Sequence, residues 1–355
     1  MRKLVVLSAS DQVAAFLKNE LLNKRWVGLM PGGDKLAEEI GVGRDTIEVA
    51  LRKLEAEGIL LNQGRRKSRA IIAHTAVRRD RKLRLAILRY ERDDQRLGYI
   101  MRLEHQLSDA GYQLLYTPKC LWELEMDTEK VIRMAEETKA DAWIVMGASR
   151  EILQWFADSK IPVIAMFGRR RELPIASVGP SKDQAIKEAT HELISLGHTR
   201  IVLIARKMRR LPKPGEGEQA FLDTLEAHGI APSPYHLPDW EETTDGFYQR
   251  LESLFQLTPP TALIIDEVSF FVSAQQFLAS RQLRVPEDVS LICTDYDDIF
   301  EWYRPRISHI KWSAEPVIRR IVRWANNISR GKKDFKQTYT PAEFVEGETI
   351  GVVRP

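Results

Sequence analysis

Leu36-Ala37-Glu38-Glu39-Ile40-Gly41-Val42-Gly43-Arg44-Asp45-Thr46-Ile47-Glu48-Val49-Ala50-Leu51-Arg52-Lys53-Leu54-Glu55-Ala56-Glu57-Gly58 decides the reading of the N-terminal part of the chain. Leu36, Ala37 and Ile40 recur at helical spacing, so Asp34 to Ile40 predicts a short helix that stops at the turn Gly41-Val42-Gly43. Beyond the turn, Ile47, Ala50, Leu51 and Leu54 form one inward stripe over Arg44 to Glu57, leaving Arg44, Asp45, Glu48, Arg52 and Glu55 outward. Two helices joined by a glycine turn make a helix-turn-helix. Upstream, Val13, Phe16, Leu17 and Leu21 predict a first helix over Asp11 to Lys24, with Asp11 as its cap. Downstream, Gly58 to Leu61 and Ala70 to Ile72 are strand-like runs around a turn whose tip is Arg65-Arg66-Lys67, a wing.

Charge follows the same division. The 355 residues carry 53 Lys and Arg against 50 Asp and Glu. Residues 1–84 hold 18 basic and 10 acidic side chains, a balance of +8, and the remainder holds 35 against 40, a balance of −5. A basic head on an acidic body suits polyanion binding by the head.

These segments together, over about residues 11–73, resemble the GntR-type winged-helix DNA-binding domain. The resemblance implies that the third helix enters a major groove with Arg44, Asp45, Thr46 and Glu48 toward the DNA, Lys35 on a phosphate, and Arg65, Arg66 and Lys67 in the adjacent minor groove. Arg69 and the run Arg78 to Arg84 would add nonspecific affinity. Gly43 stands where that family usually has a capping Ser, and Glu48 where it often has a basic residue.

Residues 74–83 are polar and charged and read as a linker. From residue 84 onward, short apolar runs alternate with helical stretches. Leu85 to Tyr90, Gln113 to Tyr116, Ala142 to Met146, Pro162 to Phe167, Ile201 to Ala205, Ala262 to Ile265 and Ser290 to Cys293 read as strands. Leu97 to Ala110, Thr128 to Thr138, Asp183 to Leu196 and Val268 to Arg281 read as helices. Such alternation predicts α/β architecture, with parallel sheets flanked by helices on both faces and length enough for two lobes.

Leu193 to Ile201, Pro260 to Ile264 and Val285 to Ile292 resemble the effector-binding domain of the LacI/GalR family, related to periplasmic sugar-binding proteins. The similarity spans about residues 84–355, in order. It implies a two-lobed, periplasmic-binding-protein-like domain that dimerises and closes on a small molecule, a sugar or polyol, at the carboxyl ends of its strands. Motif matching puts Asp266 and Asp295 at cleft carboxylates, which accept hydroxyl hydrogen bonds. Tyr90 and Arg169, at strand ends, and Trp302 are further effector candidates. The Arg usual in the family falls at Gly217, and its usual Asp is replaced by Pro180-Ser181, which points away from a common hexose.

No Gly-x-Ser-x-Gly, His-Glu-x-x-His or phosphate-loop motif occurs, so no enzyme, metal site or cofactor is expected. His198 reads as a brace for the turn into the next strand. Cys120 and Cys293 lie far apart with no metal or redox partner and read as buried apolar residues of a reducing compartment. No run reaches the roughly 18 apolar residues of a spanning helix, and the expectation is a cytoplasmic protein. The combined reading is a transcription regulator, a repressor, acting as a homodimer on a palindromic double-stranded operator under control of a carbohydrate effector. The alternatives are a regulator whose body only dimerises, and a solute-binding protein with an incidental basic head.

Overall fold

A computed structural model describes residues 8–22, 25–26, 28–57, 59–64, 68–71 and 83–354. By internal contacts the chain divides into Met1–Lys82 and Leu83–Pro355. The wing tip Arg65, Arg66 and Lys67, the run Arg78 to Lys82 and the expected linker, apart from Leu83, lie outside the described residues.

The first unit holds α1 (Ala9–Leu22), α2 (Gly33–Ile40), α3 (Arg44–Ala56), β1 (Leu60–Leu61) and β2 (Ala70–Ile71). α1 begins two residues earlier than the sequence predicts. Ser8, not Asp11, precedes it: Asp11 N donates to Ser8 Oγ at 3.2 Å and Ser8 N to Asp11 Oδ2 at 3.3 Å, a reciprocal box that caps the first turn. α2 ends where Gly41 adopts φ 75°, ψ 31° and returns its N–H to Ala37 O, a left-handed conformation that costs glycine little. Leu17, Leu36, Ile47, Leu51 and Leu54 are buried together as the core. β1 and β2 pair antiparallel, and Leu29 bridges to Ala70 on the other side of β2.

The second unit is α/β. Its first lobe carries β3 (Arg84–Leu88), α4 (Gly98–Asp109), β4 (Gln113–Tyr116), α5 (Thr128–Glu137), β5 (Ala142–Met146), α6 (Arg150–Asp158), β6 (Val163–Met166) and β7 (Ala176–Ser181). Its second lobe carries α7 (Asp183–Ser195), β8 (Ile201–Ile204), α8 (Lys207–Arg210), α9 (Glu216–Ala227), α10 (Thr244–Leu257), β9 (Ala262–Ile265), α11 (Val268–Ser280), β10 (Ser290–Cys293) and β11 (Ser308–Trp312). The chain then returns through α12 (Ala314–Ser329) and β12 (Gln337–Val345). Strand order is β4-β3-β5-β6-β7-β12-β11-β10-β9-β8, and every pairing in it is parallel except β11 with β12. β12 is shared: residues 337–341 pair with β7 and residues 342–345 with β11.

Successive strand residues point to opposite faces, and both faces are apolar because helices cover both. In lobe 1, Ile87, Ile144 and Met166 pack on α4 and α12, while Leu88, Val145 and Ala165 pack on α5 and α6. In lobe 2, Ile204, Ile265 and Leu291 pack on α10 and α11, while Leu203, Ile264 and Ile292 pack on α7 and α9. Cys120 and Cys293 are free and buried. No helix among the described residues is long and apolar enough to cross a membrane.

Candidate functional site

Two sites emerge, one in each unit. In the first, the N-terminal end of α3 is exposed at Arg44 and Asp45, with Thr46 half-buried behind them. Gly43 precedes the helix in extended conformation with no side-chain cap, so no local hydroxyl competes for that end. Arg44 pairs with Asp34 at 3.0 Å, both well exposed, a contact too hydrated to hold the guanidinium firmly. Lys35 is exposed on α2.

Glu48 turns elsewhere. It accepts from Arg69 NH2 at 2.8 Å, and the bond holds its carboxyl below the ordinary range. Arg69 also bonds Glu55, so a largely buried guanidinium ties α3 to the chain entering β2. Arg69, expected to add affinity for a polyanion, is thus consumed internally.

In the second unit, the carboxyl ends of strands from both lobes bring a dense set of charges together. Arg206, just after β8, is nearly buried; it donates to both oxygens of Glu267, each at 2.6 Å, and to Glu91 of lobe 1 at 2.6 Å. Its guanidinium lies 5.0 Å from the Tyr90 ring and 4.8 Å from Phe270. Tyr90 donates its hydroxyl to Glu242 at 3.1 Å, and burial followed by the Glu242 charge pushes that phenol well up. Glu267 is half-buried; burial raises its carboxyl, the bond from Arg206 opposes, Asp266 and Glu91 reinforce, and the result is about 7.

Asp266 is buried after β9. Arg209 NH1 donates to it at 2.7 Å, Thr294 Oγ1 at 3.0 Å and Arg206 N at 3.4 Å. Burial alone would raise its carboxyl, but Arg209, Lys182 and Arg206 outweigh that and hold it below the usual carboxylate range. Arg209 also bonds buried Glu218 at 2.7 Å. A Cβ on Gly217 would stand 3.5 Å from Arg209 NH2. A guanidinium therefore does stand near that position, delivered from α8 rather than from residue 217.

Asp295, after β10, accepts from Trp312 Nε1 at 2.6 Å and lies 3.6 Å from Lys182, which itself donates to Thr294 O. Trp312 joins Tyr99 and Phe167 in an edge-to-face cluster. Arg169 donates to the carbonyls of Met208, Leu211 and Lys213, fastening lobe 1 to the α8 region. Trp302 is 86% exposed on the turn after β10 and stands outside this network among the described residues.

Of the five effector candidates, then, Tyr90, Asp266 and Asp295 meet one network, Arg169 fastens its flank, and Trp302 stands apart. The sequence reading missed Arg206, Arg209, Glu91, Glu242, Glu267 and Lys182. For Arg206, Glu267, Lys182 and Glu91 the one signal was position, charged residues just after strands, whereas Arg209 on α8 and Glu242 in the loop before α10 carried none. His198, by contrast, is the expected brace: its ring nitrogens meet Thr261 Oγ1 at 2.9 Å, Gly351 O at 2.9 Å and Ser290 Oγ at 3.0 Å. Among the described residues no cluster of His, Cys, Asp and Glu is arranged to hold a metal.

Residues 190–350 match the periplasmic binding protein-like domain. The chain is 22% identical over 161 residues to a probable HTH-type transcriptional repressor, ExuR, of Bacillus subtilis, covering 45% of this chain and 48% of that protein. It is 28% identical over 239 residues to the HTH-type transcriptional repressor PurR of Haemophilus influenzae, covering 63% and 68% respectively. Thus the alignment spans about half the length of the first relative and two thirds of the second. Among solved structures, a LacI family regulator from Enterococcus faecium with bound ribose superposes at TM-score 0.61, 17% identity, over 76% of this chain and all of that one. The lac repressor dimer bound to operator and the anti-inducer ONPF superposes at 0.62, 15% identity, over 79% and 99%. The body therefore has the LacI-type, periplasmic-binding-protein-like fold, and the proteins it resembles are transcriptional regulators, not enzymes.

Proposed function

We propose that the chain is a DNA-binding transcriptional repressor of the LacI type, whose head reads a palindromic operator as a homodimer and whose two-lobed body takes a sugar or polyol. The observation that carries it is the pairing of that body with a preceding basic unit in which α2, a glycine turn and α3 present an uncapped, exposed helix end. α3 followed by the antiparallel pair β1 and β2 supports the finer reading of a GntR-type winged helix over residues 1–73, joined through 74–83 to the body at 84–355. Arg44, Asp45 and Thr46 then face the major groove, Lys35 a phosphate, and Arg65, Arg66 and Lys67 the minor groove. In the cleft, Asp266 and Asp295 accept ligand hydroxyls with Tyr90 beside them.

Selection from a random DNA pool with the full chain at near-physiological salt, where nonspecific attraction is weak, tests this reading. A recovered palindrome supports it; no enrichment above a scrambled-pool control refutes it.

The cleft favours a second reading of the body. Arg206 and Glu91 join the lobes, and Asp266 is satisfied by Arg209. A body held closed by its own charges suits a regulator that dimerises without sensing. Thermal unfolding across a panel of sugars and polyols separates the two, since a ligand at a hundred times its Kd adds about 2.7 kcal/mol.

A further inference from the structure

A second cluster of charge lies away from the cleft, where α12 faces the segment running from Lys333 into β12. There the surface forms an open concavity of about 510 Å³ lined by Arg319, Arg320, Arg323, Lys333 and Lys336, with Asp334 as the single carboxylate of the lining. Asp334 is already spent. Arg320 donates to it through NH2 at 2.7 Å and NH1 at 3.1 Å, and Asn327 donates at 2.9 Å. Arg320 is itself buried, and it also donates through Nε to Thr338 Oγ1 and through NH2 to Lys336 O. This inner pair is a floor that fixes the cavity's shape.

Above it, Arg319, Arg323, Lys333 and Lys336 are exposed, and none of them makes an ion pair among the described residues. Arg319 and Arg323 sit one turn apart on α12, a spacing at which like charges repel. Four unneutralised cations around one concavity, on a body whose residues 85–355 carry 35 basic against 40 acidic groups, make a local positive field. The volume falls in the range of small-ligand sites. Arginine forks match the oxygens of a phosphate, and a dianion neutralises more of this charge than a carboxylate can. A DNA backbone presents singly charged diesters along a rod, a poor fit to a concavity; a terminal phosphate enters it end-on.

We propose that this cavity binds a small phosphomonoester, its dianion held by Arg319 and Arg323 and flanked by Lys333 and Lys336. The site is independent of the DNA reading. α12 buries Val317, Ile321 and Trp324 in lobe 1, and the far wall leads into the strand shared by both lobes. An occupant therefore touches the connection between them.

The test uses the full chain with inorganic phosphate and phenyl phosphate as probes, read by thermal unfolding and titration calorimetry against chloride of equal ionic strength. Wild type is expected to be stabilised by phosphate beyond chloride. Arg319→Glu/Arg323→Glu should bind at least about tenfold more weakly, the value of one lost charge-assisted bond. A control, Lys139→Glu/Lys187→Glu, changes exposed cations outside the lining and should bind as wild type does. Should the reversal variant lose its far-ultraviolet spectrum, Arg319→Gln/Arg323→Gln replaces it. The proposal is overturned by phosphate acting no better than chloride, by equal binding in the Arg319/Arg323 variant, or by equal loss in the control. It is also overturned if a short random duplex, but neither phosphate probe, binds in an Arg319- and Arg323-dependent way, which would assign the patch to DNA.

Discussion

Replacing Arg206 with Met removes the cation that joins the two lobes while keeping most of the side-chain volume. In the native cleft three donor contacts of 2.6 Å reach Glu267 and Glu91, and Glu242 lies 3.9 Å away. Each carboxylate about 4 Å from the guanidinium centre attracts it by about 4 kcal/mol at an effective dielectric of 20. Against that stands the desolvation of a side chain only 8% exposed, several kcal/mol. Glu267 and Glu91 are about a third exposed, 35% and 36%, and rehydrate in part, whereas Glu242, at 4%, does not. The net loss should therefore be that of a buried pair deprived of one partner, about 3–5 kcal/mol. For a body of this size that is about 6–10 °C in Tm. The assay is thermal unfolding of Arg206→Met, Glu267→Gln and the double variant well above pH 7, since without Arg206 the burial of Glu267 and its neighbours Asp266 and Glu91 push that carboxyl further up. If orphaned charge carries the cost, Glu267→Gln should recover part of it in the double variant, with a coupling of about 0.5–3 kcal/mol. A single-variant loss under about 1 kcal/mol, the worth of a surface pair, together with zero coupling, would refute the argument that this cation clasps the lobes.

Arg44→Ala should weaken operator binding by about 1–3 kcal/mol without lowering Tm, because its ion-pair partner among the described residues, Asp34, is as exposed as it is; unchanged affinity in a gel-shift titration would remove α3 from the interface. Gly347→Ala should destabilise by about 1–3 kcal/mol, because its Cβ would stand 2.4 Å from Arg306 O and 2.6 Å from Ser308 N, backbone atoms that cannot step aside; a urea midpoint equal to wild type would contradict the geometry. Burial holds His198, His236 and His309 below their ordinary 6.5, so the unfolded chain takes up protons first. The stability they contribute is complete above pH 6.5 and is lost as pH falls through their folded values. Glu267, raised to about 7, works in the opposite sense over the same window, so the measurement belongs in Glu267→Gln, where Tm should fall with pH from 6.5 downward and a flat or rising profile counts against it.

What the sequence revealed and what it concealed divide along locality. Helical period placed α2, α3, α4 and α5 to within a residue or so at each end, because one-face burial is written into spacing. Strands buried on both faces, β5 and β9, announced themselves as unbroken apolar runs. β12 did not: Gln337–Val345 includes Thr338, Pro341 and Glu343, is largely half-exposed, and is a strand because β7 and β11 offer it partners. Asp266 and Asp295 were visible as charges at strand ends. Arg209 was not, because one short helical turn returns it to Asp266 across 57 positions. Glu48 faces outward on the helix as its period requires, yet its partner Arg69 arrives from 21 residues away and changes its role.

The cleft charges also bear on how an effector of the proposed kind can act. A ligand that works by opening the lobes must break the Arg206–Glu91 bond and the Tyr90–Glu242 bond. A neutral polyol returns hydroxyl hydrogen bonds worth about 1 kcal/mol each, so several are needed merely to replace the charge-assisted contacts it disrupts. Reversing a two-state population from 1:99 to 99:1 needs about 5.5 kcal/mol of differential binding on top of that. A polyol reaching Asp266 and Asp295 while leaving Arg206 on its carboxylates has no such deficit, since its bonds add to the native clasp. On the proposed reading the favoured coupling is therefore to a closed body made more rigid by its ligand, and Arg206→Met, by lowering the share of the body that is already closed, should weaken the apparent affinity and narrow the difference in Tm between the free and ligand-bound protein.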